Sequence, residues 1–432
     1  MENKFILSVL LAACTTVALP AYAKGGKEVK NTDSEKPRSN VIFLTGNNTP
    51  DDVKDVTDIF KETESPYFQD PRAPRFILMD RKSRVAFGIG GYVKATASYD
   101  FAGIADNVDF VTDDIPVPRN PADRSQFQMD ASTSRLFFKL VGNNKYMKKF
   151  TAYIETDFRG GNYSLHLRQA YISFRGLLIG QSWSTFTDLA AIPPTIDFEG
   201  PSAATEFRNV QIRYTLNFKE KWQFAAAIEN PGVNYTITDN MDVAKQRSPD
   251  IPFYLQYGWN KSSHIRLTGI LRGMRYRDQI TEQNRSVFGW GVQLSGVATV
   301  TSKWTLYYQA TYGKGIAKYI NDLSGTGLDV LPSTTEGKLR APGVSGFIAS
   351  AQYNFTPNLF VSASYSYNRV YDSGIVFDPN LYKHAQYVSA NVFWTVAKDW
   401  QFGAEYLFGQ RKNQNDESAI ANRFQIMAQY NF

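Results

Sequence analysis

The chain has 432 residues, of which 43% are hydrophobic and 14% are aromatic, and its formal net charge is +6. Its mean hydropathy is −0.35, and after the N-terminal region no apolar stretch reaches the roughly 18 residues that a membrane-spanning helix requires. The mild charge, without any long run of basic residues, argues against a nucleic-acid partner.

The first 23 residues predict a signal peptide. Lys4 precedes the apolar stretch FILSVLLAACTTVAL, and AYA at 21–23 fits a small-x-small cleavage site. LAAC at 11–14 is also typical of a lipoprotein processing site, which would leave Cys14 lipidated. Because the apolar stretch continues past Cys14 to the later site, cleavage after residue 23 is favoured, and the mature chain then has no disulfide, thiol nucleophile or cysteine metal site.

Residues 24–83 differ in composition from the rest and predict a short N-terminal extension. The stretch KGGKEVKNTDSEKPRSN is charged and rich in small polar residues, which is typical of flexible chain. A short helix is expected near 50–62, because Thr49 can cap it and Pro50 fits its first position. Its apolar stripe covers less than two heptads, so either a surface helix or a self-associating periplasmic helix fits the pattern.

From residue 84 to 432 the apolar residues follow a two-residue period, which indicates strands. Most of these segments have 9–16 residues, enough to cross a bilayer at a tilt. We count about sixteen of them, at 84–100, 128–142, 146–158, 164–175, 177–186, 206–218, 222–230, 252–260, 264–276, 286–299, 303–315, 344–355, 359–370, 383–395, 400–410 and 422–432.

The connections between these strands alternate between short and long. Every second one is tight, as in GNNK, FRGL, FKEKW, NKSSH, VTSKW, FTPNL and VAKDW, and those between them are mostly longer. This alternation is typical of an antiparallel transmembrane β-barrel with short periplasmic turns and long external loops. An even number of strands places both chain ends in the periplasm, so the fold class is an all-β outer-membrane barrel with a periplasmic extension.

Aromatic residues support the membrane position of the barrel. Trp222, Trp304 and Trp400 each begin a strand after a tight turn, which predicts an aromatic girdle at one membrane surface. The last strand ends in RFQIMAQYNF, with Phe424 to Phe432 apolar at every second position. That strand is expected to close the barrel against the first, because unpaired backbone groups cannot face lipid.

If one parity of each strand faces lipid, the other faces the lumen. In 164–175 both faces carry apolar residues, which suggests a subunit contact, and there we expect His166 and Arg168 to face inward. The predicted lumen acids are Glu155, Asp157, Glu229 and Glu405. The predicted lumen cations are Lys94, Arg135, Lys139, Arg159, Arg168, Arg213, Arg266, Arg272 and Arg423. This excess of cations favours small anions, and the planar arginine fork suits a carboxylate; the alternative is that the arginines pair with loop acids and stabilise the wall.

The third external loop, at 187–205, reads LAAIPPTIDFEGPSAATEF from Leu189 onward and is apolar and rich in proline. Such a loop could fold into the barrel as a constriction and bring Asp188, Asp197 and Glu199 close to the cationic wall. Contact with a neighbouring subunit is the alternative.

Several motifs resemble the DcaP-like porins: GGYVKATASYDF, ETDFRGG, LRQAYISF, IGQSWSTFTDLAAIPPTIDFEGP and QIRYT. The resemblance is densest over 84–230 and implies a trimeric sixteen-stranded outer-membrane channel associated with dicarboxylate uptake. It also implies a periplasmic extension of coiled-coil character, for which the helical stripe here is short. The family's cationic constriction would correspond to Arg135, Arg159, Arg168 and Arg213. Phosphate-selective porins are a second relative, but they use lysine-rich ladders.

Other function classes fit the sequence less well. An outer-membrane enzyme needs a nucleophile with its base or a metal site, yet His166, His264 and His384 lie on separate strands, and no paired-histidine or G-x-S-x-G motif occurs. We therefore expect no catalytic residue, metal or cofactor. A general or phosphate-type porin and a structural or adhesion barrel stay open as alternatives to the dicarboxylate channel.

Overall fold

The structure, a computed structural model, describes residues 58–79, 85–101, 103, 108–371 and 374–432. The predicted signal peptide, Cys14 and the start of the predicted helix near 50–62 lie outside these residues. No helix in the described part of the chain has the length and apolar character needed to cross a membrane.

Sixteen antiparallel strands close into a barrel, which confirms the architecture predicted from the alternation. They are β2 (Val85–Asp100), β3 (Gln126–Asp130) with β4 (Arg135–Asn144) as one interrupted strand, β5 (Lys148–Gly160), β6 (Ser164–Phe174), β7 (Leu177–Trp183), β8 (Arg208–Phe218), β9 (Trp222–Glu229), β11 (Ile251–Asn260), β12 (Ser263–Asp278), β13 (Gln283–Thr299), β14 (Trp304–Lys314), β17 (Gly343–Thr356), β18 (Leu359–Tyr371), β19 (Tyr382–Ala397), β20 (Trp400–Asn413) and β21 (Ser418–Asn431).

Shorter elements accompany the barrel. The additional strands are β1 (Phe76–Met79), β10 (Met241–Val243), β15 (Leu331–Pro332) and β16 (Leu339–Arg340). The 3₁₀ turns are Thr112–Asp114, Pro121–Asp123, Gly161–Tyr163, Leu189–Ala191, Ala317–Tyr319 and Asn321–Leu323. Residues 58–62 are helical.

The side-chain alternation on each strand separates an apolar exterior from a polar interior. On β12, Leu267 is 58% exposed and Leu271 is 43% exposed, whereas Thr268 and Arg272 are buried. Exposed apolar side chains of this kind surround the barrel, which is typical of a wall that faces lipid. The interior is not empty, because loop residues such as Phe186 and Tyr319 pack there in apolar clusters.

Tryptophans at the tight-turn end form the predicted girdle. Each of the three lies opposite a tyrosine of the neighbouring strand, in the pairs Trp222–Tyr257, Trp304–Tyr353 and Trp400–Tyr430. The ring centroids of these pairs are 4.9, 4.8 and 5.0 Å apart. Such amphipathic rings are favoured at the boundary between membrane and water.

The barrel closes between β2 and β21. Their register runs from Tyr92 opposite Asn431 to Asp100 opposite Arg423. At the end of the chain, the Gly91 N–H donates to the Phe432 carbonyl over 3.1 Å, and the Phe432 N–H donates back over 3.0 Å. β1 pairs with the remaining part of β2, so backbone groups on that edge of β2 have partners along most of its length.

The described part of the predicted extension packs on the inner wall of the barrel. Ile59 and Phe60 are buried in one cluster with Ile77 and Val141. Further along, the ring of Tyr67 lies edge-on to Trp183, with 5.5 Å between centroids. We call residues 58–79 the inner segment.

Candidate functional site

The loop at 187–205, here called the constriction loop, folds into the lumen. Glu405 of β20 accepts hydrogen bonds from the backbone N–H groups of Ile196 (3.1 Å) and Asp197 (2.8 Å). Lys94 of β2 donates to the Ile196 carbonyl over 2.8 Å. Because an unpaired buried charge is costly, these inward side chains hold the loop firmly against the wall.

Asp188 ties the start of the constriction loop to β12 and β13. Its carboxylate lies 2.9 Å from His264 Nε2, accepts from Ser295 Oγ over 2.7 Å and lies 3.6 Å from Arg266. Burial alone would raise the pKa of Asp188, but Arg266 and His264 together lower it to about 2. Asp188 is therefore ionised, and it neutralises part of the charge of Arg266.

Asp197 and Glu199 lie deeper in the same loop. Asp197 accepts from the Phe110 N–H and the Tyr387 hydroxyl, each over 3.0 Å. Burial, and then the neighbouring Glu405, raises the pKa of Asp197 well above its usual range. Burial also raises the pKa of Glu199, next to further acids such as Asp109. Burial and neighbouring acids therefore disfavour the ionised form of both loop acids.

Phe198 brings together three of the four arginines that the family resemblance suggested. The guanidinium carbons of Arg135, Arg159 and Arg168 lie 5.5, 4.9 and 5.1 Å from its ring centroid. Contacts of this kind with an aromatic face are attractive. The loop thus gathers side chains from β4, β5 and β6 around one ring.

Each of these three arginines already has a carboxylate partner. The pairs are Arg135 with Asp70 (2.8 Å), Arg159 with Asp109 (2.9 and 2.5 Å), and Arg168 with Glu155 (2.7 Å) and Asp157 (2.9 Å). His166 Nδ1 also lies 3.0 Å from Asp157. The cluster around Phe198 is therefore close to neutral and stabilises the wall.

The other six predicted lumen cations fall into two groups, those paired with a carboxylate and those without one. Arg266 donates to the Thr187 carbonyl over 3.0 Å and lies next to Asp188, as described above. The remaining paired arginines are Arg272, with Asp250 and Asp329, and Arg423, with Asp100. Three cations have no carboxylate within 4 Å in the described part of the chain: Lys94, Lys139 and Arg213. The Lys139 ammonium donates instead to the Thr63 carbonyl over 2.8 Å.

Arg213 is the least constrained of these. Its one hydrogen bond to a described residue is a long contact of 3.4 Å to the Trp183 carbonyl. It lines a cavity of about 700 Å³ at the tight-turn end of the barrel, with Lys149, Arg175 and Arg266 as further cations and Glu62 and Glu64 as acids. This tight-turn cavity therefore keeps an excess of positive charge.

A second cavity, of about 320 Å³, lies towards the long loops. It is lined by Arg168, Arg208, Glu206 and Phe198, among others, and Trp183 borders both cavities. Burial raises the pKa of Glu206 to about 8, against the opposing effect of the hydrogen bond from the Tyr67 hydroxyl. With Glu206 protonated, Arg208 is the unpaired cation among the described residues of this long-loop cavity, and Glu199 is the other acid in its lining.

Arg208 is a lining residue that the sequence reasoning missed. It lies 5.1 Å from the ring of Trp183, and its Nη1 has no hydrogen-bond partner among the described residues. Arg208 has the same strand parity as the exposed Val210 and Ile212 and is the first residue of β8, so the alternation gives no sign that it lines a cavity. The Asp70 partner of Arg135 was also missed, because the extension was not expected inside the barrel.

Metal binding finds no support in the geometry of the described residues, since no three histidine, aspartate or glutamate side chains there are placed to share an ion. Trp183 thus separates two cavities of the lumen, each with arginine in its lining.

A sixteen-stranded antiparallel barrel with a long loop folded into its lumen defines the class of outer-membrane porins. Residues 77–325 match the DcaP outer membrane protein family, and the chain belongs to that family, as the resemblance in its motifs implied. This places the protein in the bacterial outer membrane.

Solved structures show the same fold. The outer membrane channel DcaP of Acinetobacter baumannii is 21% identical and covers 82% of this chain and 99% of its own, with a TM-score of 0.71. An anion-selective porin from Comamonas acidovorans is 11% identical over 81% of this chain and all of its own, with a TM-score of 0.52. OmpT of Vibrio cholerae in a trimer form is 12% identical over the same shares, with a TM-score of 0.51. No curated protein sequence matches this chain.

Proposed function

We propose that this porin is a passive diffusion channel for small anionic solutes such as dicarboxylates. The observation that carries the proposal is the pair of β8 arginines, Arg208 and Arg213, which line the cavities on the two sides of Trp183. Neither has a carboxylate within 4 Å in the described part of the chain. An anion can therefore exchange its water for a planar arginine fork in each cavity in turn.

The other predicted cations contribute less than their number suggests. Six of the nine are paired with carboxylates, so they fix the lumen walls and the constriction loop. Anion preference then depends on a few unpaired cations in narrow water-filled spaces, where their field is least screened. Because most wall cations are neutralised by acids and only a few arginines are unpaired, an anionic solute is attracted into the lumen without being bound tightly.

The proposal is tested by reversal potentials of the full-length protein in planar bilayers under a potassium chloride gradient. We expect reversal on the anion side and current block by succinate. Arg213→Gln should lower the anion-to-cation permeability ratio about fivefold, because one charge at about 4 Å in water contributes about 1 kcal/mol. Lys261→Gln, on a tight turn outside both cavities, is the matched control.

Two outcomes would contradict the proposal. Reversal on the cation side would mean that the lumen acids dominate the potential. An absence of conductance steps would mean that the constriction loop and the inner segment occlude the lumen, which would favour a structural barrel.

We further propose that the channel is a homotrimer. Leu165 and Ile172 of β6 and Ile179 of β7 are 63%, 48% and 38% exposed, in the region where both faces of the sequence pattern are apolar. The trimer form of OmpT shows that a barrel of this fold assembles in threes. Conductance steps in groups of three would support this assembly. We also propose that the extension before the inner segment lies on the periplasmic side.

A further inference from the structure

Three basic side chains form a row across the outer face of β18, β19 and β20. Arg369 lies directly opposite His384, which lies directly opposite Lys412. They have the same strand parity as Tyr365 and Tyr406, which are 39% and 44% exposed on the outside of the barrel. All three residues of this rim row lie at the long-loop end, away from the tryptophan girdle.

The rim row is poorly neutralised by the protein. Arg369 has no ion pair in the described part of the chain, and its guanidinium lies 5.0 Å from the ring of Tyr371. Arg369 Nε and His384 Nδ1 are buried without a hydrogen-bond partner among the described residues. Lys412 pairs with Asp416 over 3.0 Å, but the same carboxylate also takes Lys383 over 2.7 Å.

Such a row favours an anion. Arg369 and Lys412 flank the imidazole of His384 on the two neighbouring strands, so two cations lie on the same side of the wall, and buried donors without partners cost free energy. A phosphate group offers several strong acceptor oxygens and at least one negative charge, which suits an arginine flanked by a lysine and an imidazole. At the end of the strands, on the outer face, the phosphates within reach are those of lipid headgroups.

A second feature of the same wall fits the rest of a lipid. An apolar groove of about 640 Å³ is formed by β14 and β17–β21, with Ala351, Ala363 and Ala390 opposite one another along it. Trp304 and Tyr353 line one side, and Tyr406 and Phe424 line the other. From Arg369 to Ala363 is six residues of strand, or about 20 Å along the strand. At the usual strand tilt of about 40° this is about 15 Å of membrane depth, which is about how far the acyl chain of a lipid reaches into its leaflet.

We propose that this wall binds a lipid of the outer leaflet, with a headgroup phosphate on the rim row and an acyl chain in the alanine groove. This function is independent of solute transport, since every residue involved lies on the outside of the barrel. The small side chains of the groove leave the space for the chain, and the row above it supplies the charge.

The test uses the full-length protein in detergent and native mass spectrometry. Lipid A with its phosphates, dephosphorylated lipid A and inorganic phosphate are the three probes. We expect one phosphorylated lipid A to stay bound to each chain, dephosphorylated lipid A to be lost, and inorganic phosphate at equal concentration to leave the lipid bound. Arg369→Gln with Lys412→Gln should weaken retention at least tenfold, since each charge-assisted hydrogen bond contributes about one power of ten.

Ala363→Phe fills the groove and should also weaken retention, whereas Lys398→Gln, at the tight-turn end, should leave it unchanged. Circular dichroism of each variant checks that the barrel is intact. Equal retention of dephosphorylated lipid A, or unchanged retention by the double variant, overturns the proposal. Displacement of lipid A by inorganic phosphate would assign the rim row to free phosphate. If Ala363→Phe changes the oligomeric state but not the retention of lipid, the groove is a contact with a neighbouring chain.

Discussion

Asp70→Asn removes the charge that fastens the inner segment to the barrel wall while keeping the shape of the side chain. In the native protein, Asp70 lies 2.8 Å from Arg135 and accepts from Trp183 Nε1 over 3.2 Å, and both partners are buried. The variant leaves Arg135 with one remaining carboxylate, Glu155, at 3.5 Å. The inner segment should therefore detach more often, although its apolar contacts stay in place.

The size of the effect follows from burial. Removing one partner of a buried ion pair costs about 3 kcal/mol, which raises the population of the detached segment by about two powers of ten. The Asp70 amide donates to the Tyr67 carbonyl over 3.1 Å, so hydrogen exchange in a peptide that covers this turn reports the detachment. Exchange there should be about a hundredfold faster in the variant.

Glu62→Gln is the matched control on the same segment. Glu62 pairs with Lys149 over 2.6 Å, but the two side chains are 54% and 57% exposed, so its loss should change exchange by less than about fivefold. Equal exchange in Asp70→Asn and the native protein would refute the reasoning, since it would show that aromatic packing around Tyr67 alone holds the segment.

Three further predictions concern the lumen and the folding of the barrel wall. Because Glu206 has a pKa of about 8, it is protonated below that pH and ionised above it, so the anion preference read from reversal potentials should rise as the pH falls through about 8; in Glu206→Gln this step should vanish. Glu405→Gln should weaken the hold on the constriction loop by about 2 kcal/mol and increase single-channel conductance and current noise; unchanged traces would contradict this role. Gly180 has a φ of 130°, and a Cβ there would meet the Ala170 carbonyl. Gly180→Ala should therefore destabilise the folded barrel by about 1–3 kcal/mol and lower the yield of heat-resistant barrel on gels. Gly161→Ala, which has open space around it, is the control and should fold normally.

Strand number, strand positions and the closing pair could be predicted from the sequence because they depend on local alternation. Each barrel strand must present apolar groups to lipid at every second position, as Leu267 and Leu271 do, and this pattern is visible without any knowledge of neighbours. The tight turns and their tryptophans are local signals as well. The outward face was therefore the most predictable part of the molecule.

The charge of the lumen could not be predicted in the same way. Strand parity correctly indicates that the Arg135 side chain leaves the lipid face, but its partner Asp70 is 65 positions away in the sequence. Arg272 likewise meets Asp329 on a distant loop. Counting charges on strands alone overlooks the acids that loops and the inner segment bring into the barrel, so the cation excess of the walls overstates that of the lumen.

The constriction loop connects the two sides of the closing seam. Lys94 on β2 and Glu405 on β20 both bind Ile196 of this loop, Lys94 through the carbonyl and Glu405 through the N–H, and β21 lies between these two strands. At that seam the ion pair of Asp100 and Arg423 joins residues 323 positions apart, a contact whose closure entropy makes it late to form. The constriction loop can be fully anchored only after the first and last strands meet. Barrel closure and the narrowing of the channel are therefore one event, and an unclosed barrel has no selective pore.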